Sequence, residues 1–213
     1  MATSGIGQQY DKIAAWWNDY HMDSAYGVAQ IMRALSFAPS QGNALDVGCG
    51  SGGRIIRRLK EQGYEVTGID ASEKMINLAR KNHPDSLFIH EDIRHWETED
   101  RFDFIVAWDC LFHLPLSMQK PVLSKFCNML SDRGVMIHTF GDSLGKHTDS
   151  WQGQKFHYSS IGMTQNIELL HENGLSVLHL ELDQFPEKHV YIISKKLYKT
   201  EPDRLPLVGA HLT

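Results

Sequence analysis

Ala44-Leu-Asp-Val-Gly-Cys-Gly-Ser-Gly-Gly53 reads as a short buried strand running directly into a glycine-rich turn, with Arg54-Ile-Ile-Arg-Arg-Leu-Lys60 opening a helix behind it. Glycine is needed where a backbone turns sharply and approaches a ligand with no side chain in the way. Two further acids stand in matching places. Asp70 closes a second short strand, Tyr64-Glu-Val-Thr-Gly-Ile-Asp70, and Asp92 follows a third, Ser86-Leu-Phe-Ile-His90. With Asp46 in the first strand, three acids lie at three successive strand ends, which describes a pocket along the carboxyl edge of a parallel sheet. Such a pocket suits a polar, adenosine-like and cationic ligand.

Outward from this stretch, strands and helices alternate. Tyr10, Ile13, Ala14 and Trp17 repeat at helical spacing, as do Val28, Ile31, Met32 and Leu35, and Pro39 and Gly42 end the second helix. Behind the glycine turn, one helix stops at Gly63, and another starts on Ser72 and stops before Pro84. Residues 102–107 form an almost wholly apolar fourth strand, as the buried middle of a parallel sheet requires. A helix over about 117–130 leads through Asp132-Arg-Gly134 into a fifth strand at 135–140, and a further helix follows at 164–173. Residues 175–183 and 189–195 read as antiparallel strands joined by a short proline-containing turn. The expectation is a Rossmann-like α/β fold: a seven-stranded, mostly parallel sheet with helices on both faces and a C-terminal antiparallel hairpin. One domain spans residues 1–196, with 1–40 as an N-terminal helical cap. The polar stretch 141–160, without evident secondary structure, is a candidate lid, and 197–213, with Pro202 and Pro206, is an irregular tail.

Composition narrows the function. The 213 residues suit one domain with a sizeable core. A formal net charge of −5 and an isoelectric point near 6.2 leave no broad basic field to draw nucleic acid. No apolar run approaches the roughly 20 residues that span a bilayer, and Met1-Ala-Thr-Ser-Gly-Ile-Gly7 lacks the basic and apolar regions of a signal peptide. Three cysteines, odd in number and widely spaced, read as unpaired thiols of a reducing cytoplasm. The twelve histidines are scattered, with no His-x-x-x-His or His-Glu-x-x-His pair to set two ligands on one helix face, so no metal is expected. His179 and His189 are placed to face each other across the last two strands, a structural pairing without a third ligand.

The run Leu45-Asp-Val-Gly-Cys-Gly-Ser-Gly52, then Gly68-Ile-Asp70, Glu91-Asp92 and Phe102-Asp-Phe-Ile-Val-Ala-Trp-Asp-Cys-Leu-Phe-His-Leu-Pro115, resembles the motif series of class I S-adenosylmethionine-dependent methyltransferases. Order and spacing match from about Ala44 to Gly141. The resemblance implies S-adenosylmethionine as cofactor, with S-adenosylhomocysteine as product. It implies that Gly48, Gly50 and Gly52 lie under the methionine part and that Asp70 takes the ribose hydroxyls. Asp92 and Ile93 would meet the adenine, and the backbone around Ala107 and Trp108 the amino group. Cys49 and Ala71 join this cofactor-contacting set. Asp46 serves either the cofactor or the turn amides, and Arg54 either the cofactor carboxylate or solvent. Met75 either touches the adenosine or packs the core with Ile76 and Ala79. The Tyr10–Trp17 segment resembles the N-terminal helix that many small-molecule methyltransferases fold over the cofactor, which would bring Tyr10 to it; the alternative is an ordinary packing helix with an aromatic core stripe. Trp16 and Trp17, being adjacent, cannot both face the same way.

Other nucleotide folds fit less well. Gly48, Gly50 and Gly53 satisfy G-x-G-x-x-G, but Asp46 would crowd a pyrophosphate with negative charge and suits a sulfonium or ammonium. A dehydrogenase also has no standard use for Asp92. Tyr191 and Lys195 match a Tyr-x-x-x-Lys pair, yet in a strand the two groups stand roughly 13 Å apart. No Gly-Lys-Ser/Thr follows the glycines, so a P-loop is excluded.

Methyl transfer is an in-line displacement at an activated carbon, and holding donor and acceptor in line in a dry site is most of the protein's task. A strong cofactor signature and a weak catalytic one are therefore expected. His113 is the candidate base, with Asp109 or Tyr158 orienting an acceptor and Trp151 and Phe156 closing over it. The structural alternative is that His113 caps the helix near Pro115 and Asp109 bonds backbone amides. Ala107-Trp-Asp-Cys110 matches neither the Asn/Asp-Pro-Pro-Tyr/Phe of amino-methylating nucleic-acid enzymes nor the Pro-Cys of cytosine-C5 enzymes, which points away from DNA. The reading is a cytoplasmic methyltransferase for a small-molecule acceptor, with no DNA or membrane partner. The alternatives are a non-catalytic S-adenosylmethionine-binding module and an RNA or protein methyltransferase.

Overall fold

The computed structural model describes residues 5–197. The motif strand is β1 (Gly42–Val47), whose last four residues are all buried. β1 pairs in parallel with β2 (Tyr64–Asp70) on one side and with β4 (Phe102–Ala107) on the other, and β3 (Leu87–His90) lies beyond β2. β5 (Leu130–Gly141) continues the parallel run past β4. The antiparallel strands β8 (Leu175–Leu182) and β9 (His189–Lys196) complete the order β3-β2-β1-β4-β5-β9-β8. The expected seven-stranded α/β sheet with its terminal antiparallel hairpin is what the chain forms.

Alternate residues of a strand face opposite sides, and both sides of this sheet are covered. Phe104, Val106, Val135 and Ile137 pack with Ile31, Ile56, Leu59 and Ile76. Those partners come from α2 (Val28–Leu35), α3 (Arg54–Glu61) and α4 (Glu73–Asn82). On the other side Ile105, Ala107 and Met136 meet Val122, Leu123, Phe126 and Leu170, from α5 (Leu116–Met129) and α6 (Gly162–Glu172). Met32, counted on the apolar face of its helix, is instead 37% exposed.

Helix α4 starts as the sequence suggests: the Ser72 hydroxyl accepts from Met75 N–H at 3.2 Å, a cap worth about 1 kcal/mol. The same hydroxyl donates to Asp11 at 2.6 Å, and Asp11 also accepts from Lys74 N–H at 3.0 Å. Asp11 thereby fastens α1 (Gly5–His21) across the start of α4. Gly7 lies against the Ala71 carbonyl with no room for a Cβ. These contacts hold α1 over the carboxyl edge of the sheet.

Three expectations are corrected. Residues 141–160 are not irregular: β6 (Leu144–Trp151) and β7 (Gln154–Ile161) form a separate antiparallel hairpin in full register from Leu144↔Ile161 to Trp151↔Gln154. Its tip is Gln152-Gly153, both at positive φ (47° and 69°), the two-residue geometry that matches strand twist. Apolar alternation failed to show it because β6 is solvated on both faces. Second, β5 begins at Leu130, and the Asp132-Arg-Gly134 turn is a bulge between the Leu130 and Val135 pairings. Third, His179 and His189 do not face each other: the register sets His179 opposite Ile193, while His189 lies beyond the Leu182↔Val190 pair at the other end of the ladder. His179 lies instead beside Tyr191 and Glu181. The tail expected at 197–213 lies, beyond Leu197, outside the described residues. No helix among the described residues is long and apolar enough to cross a membrane.

Candidate active site

A cavity of about 1400 Å³ runs along the carboxyl ends of β1, β2 and β4, beneath α1 and the β6–β7 hairpin. Its floor is the glycine turn. Gly48 and Cys49 donate their N–H groups to the Ile69 carbonyl at 2.8 and 3.1 Å, which locks the turn onto β2. Gly48 and Gly50 hold φ of +69° and +55°, a region that side chains avoid. A Cβ on Gly48 would lie 2.5 Å from Cys110 Cβ, and one on Gly50 would lie 3.1 Å from the Trp17 indole nitrogen. Gly50, Ser51 and Gly53 face the cavity, but Gly52 does not; its space is filled by Ala79 and His83 of the α4 end. Ala107 also stays in the core, and only its neighbour Trp108 reaches the wall.

Asp70 lies at the end of β2 and uses both oxygens. Gly50 N–H donates to one at 2.9 Å and Ser72 N–H to the other at 2.8 Å. Burial raises the carboxyl's pKa while these two bonds oppose the rise. The side chain thus joins the glycine turn to the α4 cap and still faces the cavity beside Ala71 and Met75. Met75 is 1% exposed, so it is at once a core residue and a patch of cavity wall.

Asp46 behaves differently. It is 2% exposed, with no hydrogen bond to its carboxyl among the described residues. Desolvation pushes its pKa to about 8, with Asp70 adding to the rise and Arg54 opposing it. Arg54 is held by the Tyr26 carbonyl at 2.5 Å and over the Tyr26 ring at 5.2 Å. It therefore reaches the cavity rather than open solvent. Beside it, buried His21 Nδ1 has no hydrogen-bond partner among the described residues, although Trp17 packs on the ring at 4.0 Å. A buried polar atom without a partner is costly, and here the atom borders the cavity.

Asp92 is already engaged. Arg94 grips both carboxylate oxygens at 2.6–3.0 Å, and Arg94 N–H donates to one of them at 3.0 Å. Desolvation works against the charge, but these bonds hold its pKa below the ordinary carboxylate value. Asp92 and Ile93 both line the cavity.

Beyond β4, the turn Leu111–His113 and the hairpin carry the remaining candidates. His113 Nε2 sits 3.0 Å from the Tyr10 hydroxyl, and Nδ1 sits 3.3 Å from the His157 carbonyl. The carbonyl can only accept, so Nδ1 carries the proton and Nε2 accepts from Tyr10. Burial lowers the imidazole pKa to about 4, leaving it neutral at pH 7. His113 does not cap α5, whose first residue follows Pro115 without a side-chain cap. Tyr158 packs against His113 at 5.0 Å and stacks on His147 at 5.0 Å. Trp151 closes on α1, reaching Trp16 at 5.1 Å and Trp17 at 5.9 Å. Of the two adjacent tryptophans Trp17 lines the cavity and Trp16 does not, although both touch Trp151 and His21.

Asp109, at φ +56°, does not have its carboxylate on backbone amides. It accepts from His189 Nε2 at 2.9 Å and from the Thr139 hydroxyl at 3.3 Å. His189 Nδ1 in turn meets Asp183 at 2.5 Å. Desolvation opposes the charged ring, but the two flanking carboxylates raise its pKa. Sequence reading missed Asp183 and His21 and gave His189 only a pairing with His179, because their positions depend on β9 register and on the docking of α1, neither of which leaves a local motif.

The Bacillus subtilis protein named as methyltransferase YqeM is 29% identical over 170 residues, covering 71% of this chain and 67% of its own length. An Escherichia coli trans-aconitate 2-methyltransferase is 37% identical over 99 residues, covering 46% of this chain and 38% of its own. The chain thus matches well under half the length of that second relative. The solved Burkholderia thailandensis 1,6-didemethyltoxoflavin-N1-methyltransferase shares the fold with a TM-score of 0.67 at 19% identity, over 93% of this chain and 92% of its own. A sequence model of the methyltransferase domain matches residues 19–180. The chain belongs to the methyltransferase-domain family.

Proposed function

We propose that this chain transfers a methyl group from S-adenosylmethionine to a small-molecule acceptor. The observation that carries the reading is Asp46: a buried carboxyl, without a hydrogen bond among the described residues, facing a cavity floored by open glycines. Such a group is costly unless a cation meets it. The other residues fit the same cofactor. Asp70 faces the cavity where a ribose diol would sit, Arg54 and His21 Nδ1, without a hydrogen bond among the described residues, suit an amino-acid carboxylate, and Ile93 and Met75 offer an apolar slot for adenine. At about 1400 Å³ the cavity exceeds the roughly 300–1,000 Å³ of a one-ligand pocket, which supports a donor and an acceptor side by side.

S-adenosylmethionine, when bound, supplies a methyl group already activated by its sulfonium. The chain's own residues hold, align and dry. Trp17, Tyr10 and Phe156 form one packed aromatic group, with ring centroids 5.3–5.6 Å apart along the Tyr10 contacts, and this group excludes water on the α1 side. The hairpin is the lid: Gln119 donates to the Ser159 carbonyl at 2.6 Å and Ser159 Oγ donates to the Leu114 carbonyl at 2.6 Å, which fixes its base to α5. His113 offers a neutral imidazole whose lone pair is filled by Tyr10. An acceptor hydroxyl that displaces Tyr10 would find a proton acceptor there, with Asp109 and Tyr158 orienting it.

The small-molecule acceptor is supported by the aromatic walls and by relatives named for trans-aconitate and for a dideoxy amino sugar nucleotide. We read residues 1–196 as one domain and the three free cysteines as those of a cytoplasmic protein without a DNA partner. Incubation with labelled methyl donor and a metabolite pool tests the function. Transfer to a small product is expected. Binding of S-adenosylhomocysteine without transfer to any pool would favour a non-catalytic module.

A further inference from the structure

The cavity is divided by charge. The arm along β1, β2 and β4 is acidic by excess, with Asp46, Asp70, Glu91, Asp92 and Asp109 on its wall against Arg54 and Arg94. The arm between the hairpin and the start of α5 is the reverse. Its charged residues are Lys120 of α5 and Lys146 of β6, joined by His147 and His157, and no carboxylate is among the described residues that line it. Neither lysine has an ion-pair partner among the described residues. Lys125, one turn further along the same helix, is by contrast bound by Glu97 at 2.9 Å and by the Trp96 carbonyl at 2.8 Å. The two lysines come from separate elements, α5 and β6, and line the same cavity. The first turn of the 14-residue α5 adds to their field: it has no side-chain cap and no acid, and Leu116 and Ser117 line the same arm.

We propose that this arm receives an anionic group of the acceptor, a carboxylate or a phosphate, between Lys120 and Lys146. The inference rests on the methyltransferase reading and gives its substrate a charge class. Asp70, Glu91, Asp92 and Asp109 outnumber Arg54 and Arg94 on that arm, so its field disfavours the acceptor's anion and favours a cationic donor, and the wall sorts the two substrates to opposite ends. An acceptor anchored this way keeps its uncharged part against the aromatic rings of His113 and Tyr158, which stand 5.0 Å apart.

Calorimetry on the full chain tests it in two stages. S-adenosylhomocysteine is titrated first, into the parent and into Lys120→Gln, Lys146→Gln and the double variant. Succinate, tricarballylate and glycerol 3-phosphate are then titrated into the saturated proteins, beside neutral succinamide and glycerol and cationic 1,4-diaminobutane. We expect equal S-adenosylhomocysteine affinity in all four proteins, since both lysines lie in the other arm and are exposed. At least one anion should bind the parent, weaken about tenfold in each single variant and weaken further with added salt. Whether carboxylates or the phosphate bind better decides the source of the charge. The proposal is overturned if the diamine or a neutral compound binds more tightly than every anion, if anion binding survives in the double variant, or if no anion binds below about 10 mM. Failure of S-adenosylhomocysteine to bind the parent would instead overturn the methyltransferase reading.

Discussion

The Asp46 carboxyl makes the sharpest prediction. Its pKa stands at about 8 against an ordinary 3.8, so in the ligand-free protein the folded chain keeps a proton that the unfolded chain loses near pH 4. The folded state therefore binds more protons across that window, and stability falls as pH rises through it. The accumulated cost is on the order of 5 kcal/mol by pH 8 and above. Asp46→Asn keeps the shape and removes the charge. The variant should melt higher than the parent by roughly 10 °C at pH 8, with the gap closing toward pH 4. Donor binding should show the mirror image. A cation draws Asp46 into its charged form, so affinity for S-adenosylmethionine should rise about tenfold per pH unit between about pH 5.5 and 7.5. Asp46→Asn should flatten that slope. Calorimetry and thermal melts across the range measure both effects. A parent protein with a flat binding profile, or a variant that keeps the parent's slope, would refute the argument that Asp46 is the cation's partner.

Asp70→Ala should weaken cofactor binding more than any other single side-chain change, by about 2–3 kcal/mol, and unchanged calorimetric affinity would remove Asp70 from the ribose site. His113→Asn keeps a hydrogen-bonding group that cannot take a proton; a collapse in turnover with the true acceptor, without loss of cofactor affinity, is expected of a base, whereas undiminished turnover makes the residue structural. Gly50→Ala should lose cofactor binding while keeping most of its fold, because the new Cβ meets the Trp17 indole at 3.1 Å and the turn holds φ of +55°; retained affinity would mean that the turn yields more readily than its packing implies. His189 has its pKa raised by Asp109 and Asp183, against desolvation, so its contribution is complete below the unfolded histidine pKa near 6.5 and is lost as pH rises through the folded value. His189→Gln should therefore destabilise the protein more at pH 6 than at pH 9, and an equal loss at both would show that the ion pairs carry nothing.

Much of the fold was legible because its signals are local. The apolar runs at 44–47 and 102–107 can only be interior strands, Ser72 announces its helix through a single side-chain bond, and the glycines of 48–53 mark a turn that side chains would obstruct. Spacing along the chain was enough to line up Asp46, Asp70 and Asp92 on one sheet edge. The hairpin at 144–161 was illegible for the opposite reason. It is held by a backbone ladder and by side-chain bonds from Gln119, so its own residues carry no apolar alternation to betray it.

The sequence by itself determined the sheet, its carboxyl-edge pocket and the family, since these follow from hydrophobic period, turn chemistry and the spacing of acids. Tertiary structure decided what each acid does there. Asp92 is taken by Arg94, Asp109 by His189 and Thr139, and Asp70 ties two loops together, while Asp46 has no hydrogen-bond partner among the described residues. It also brought Tyr10 to His113 across 103 positions of chain. Those assignments depend on which side chains arrive from distant elements and how much water they exclude. The partner of a charge and the dielectric around it are properties of the assembled fold, and no local pattern encodes them.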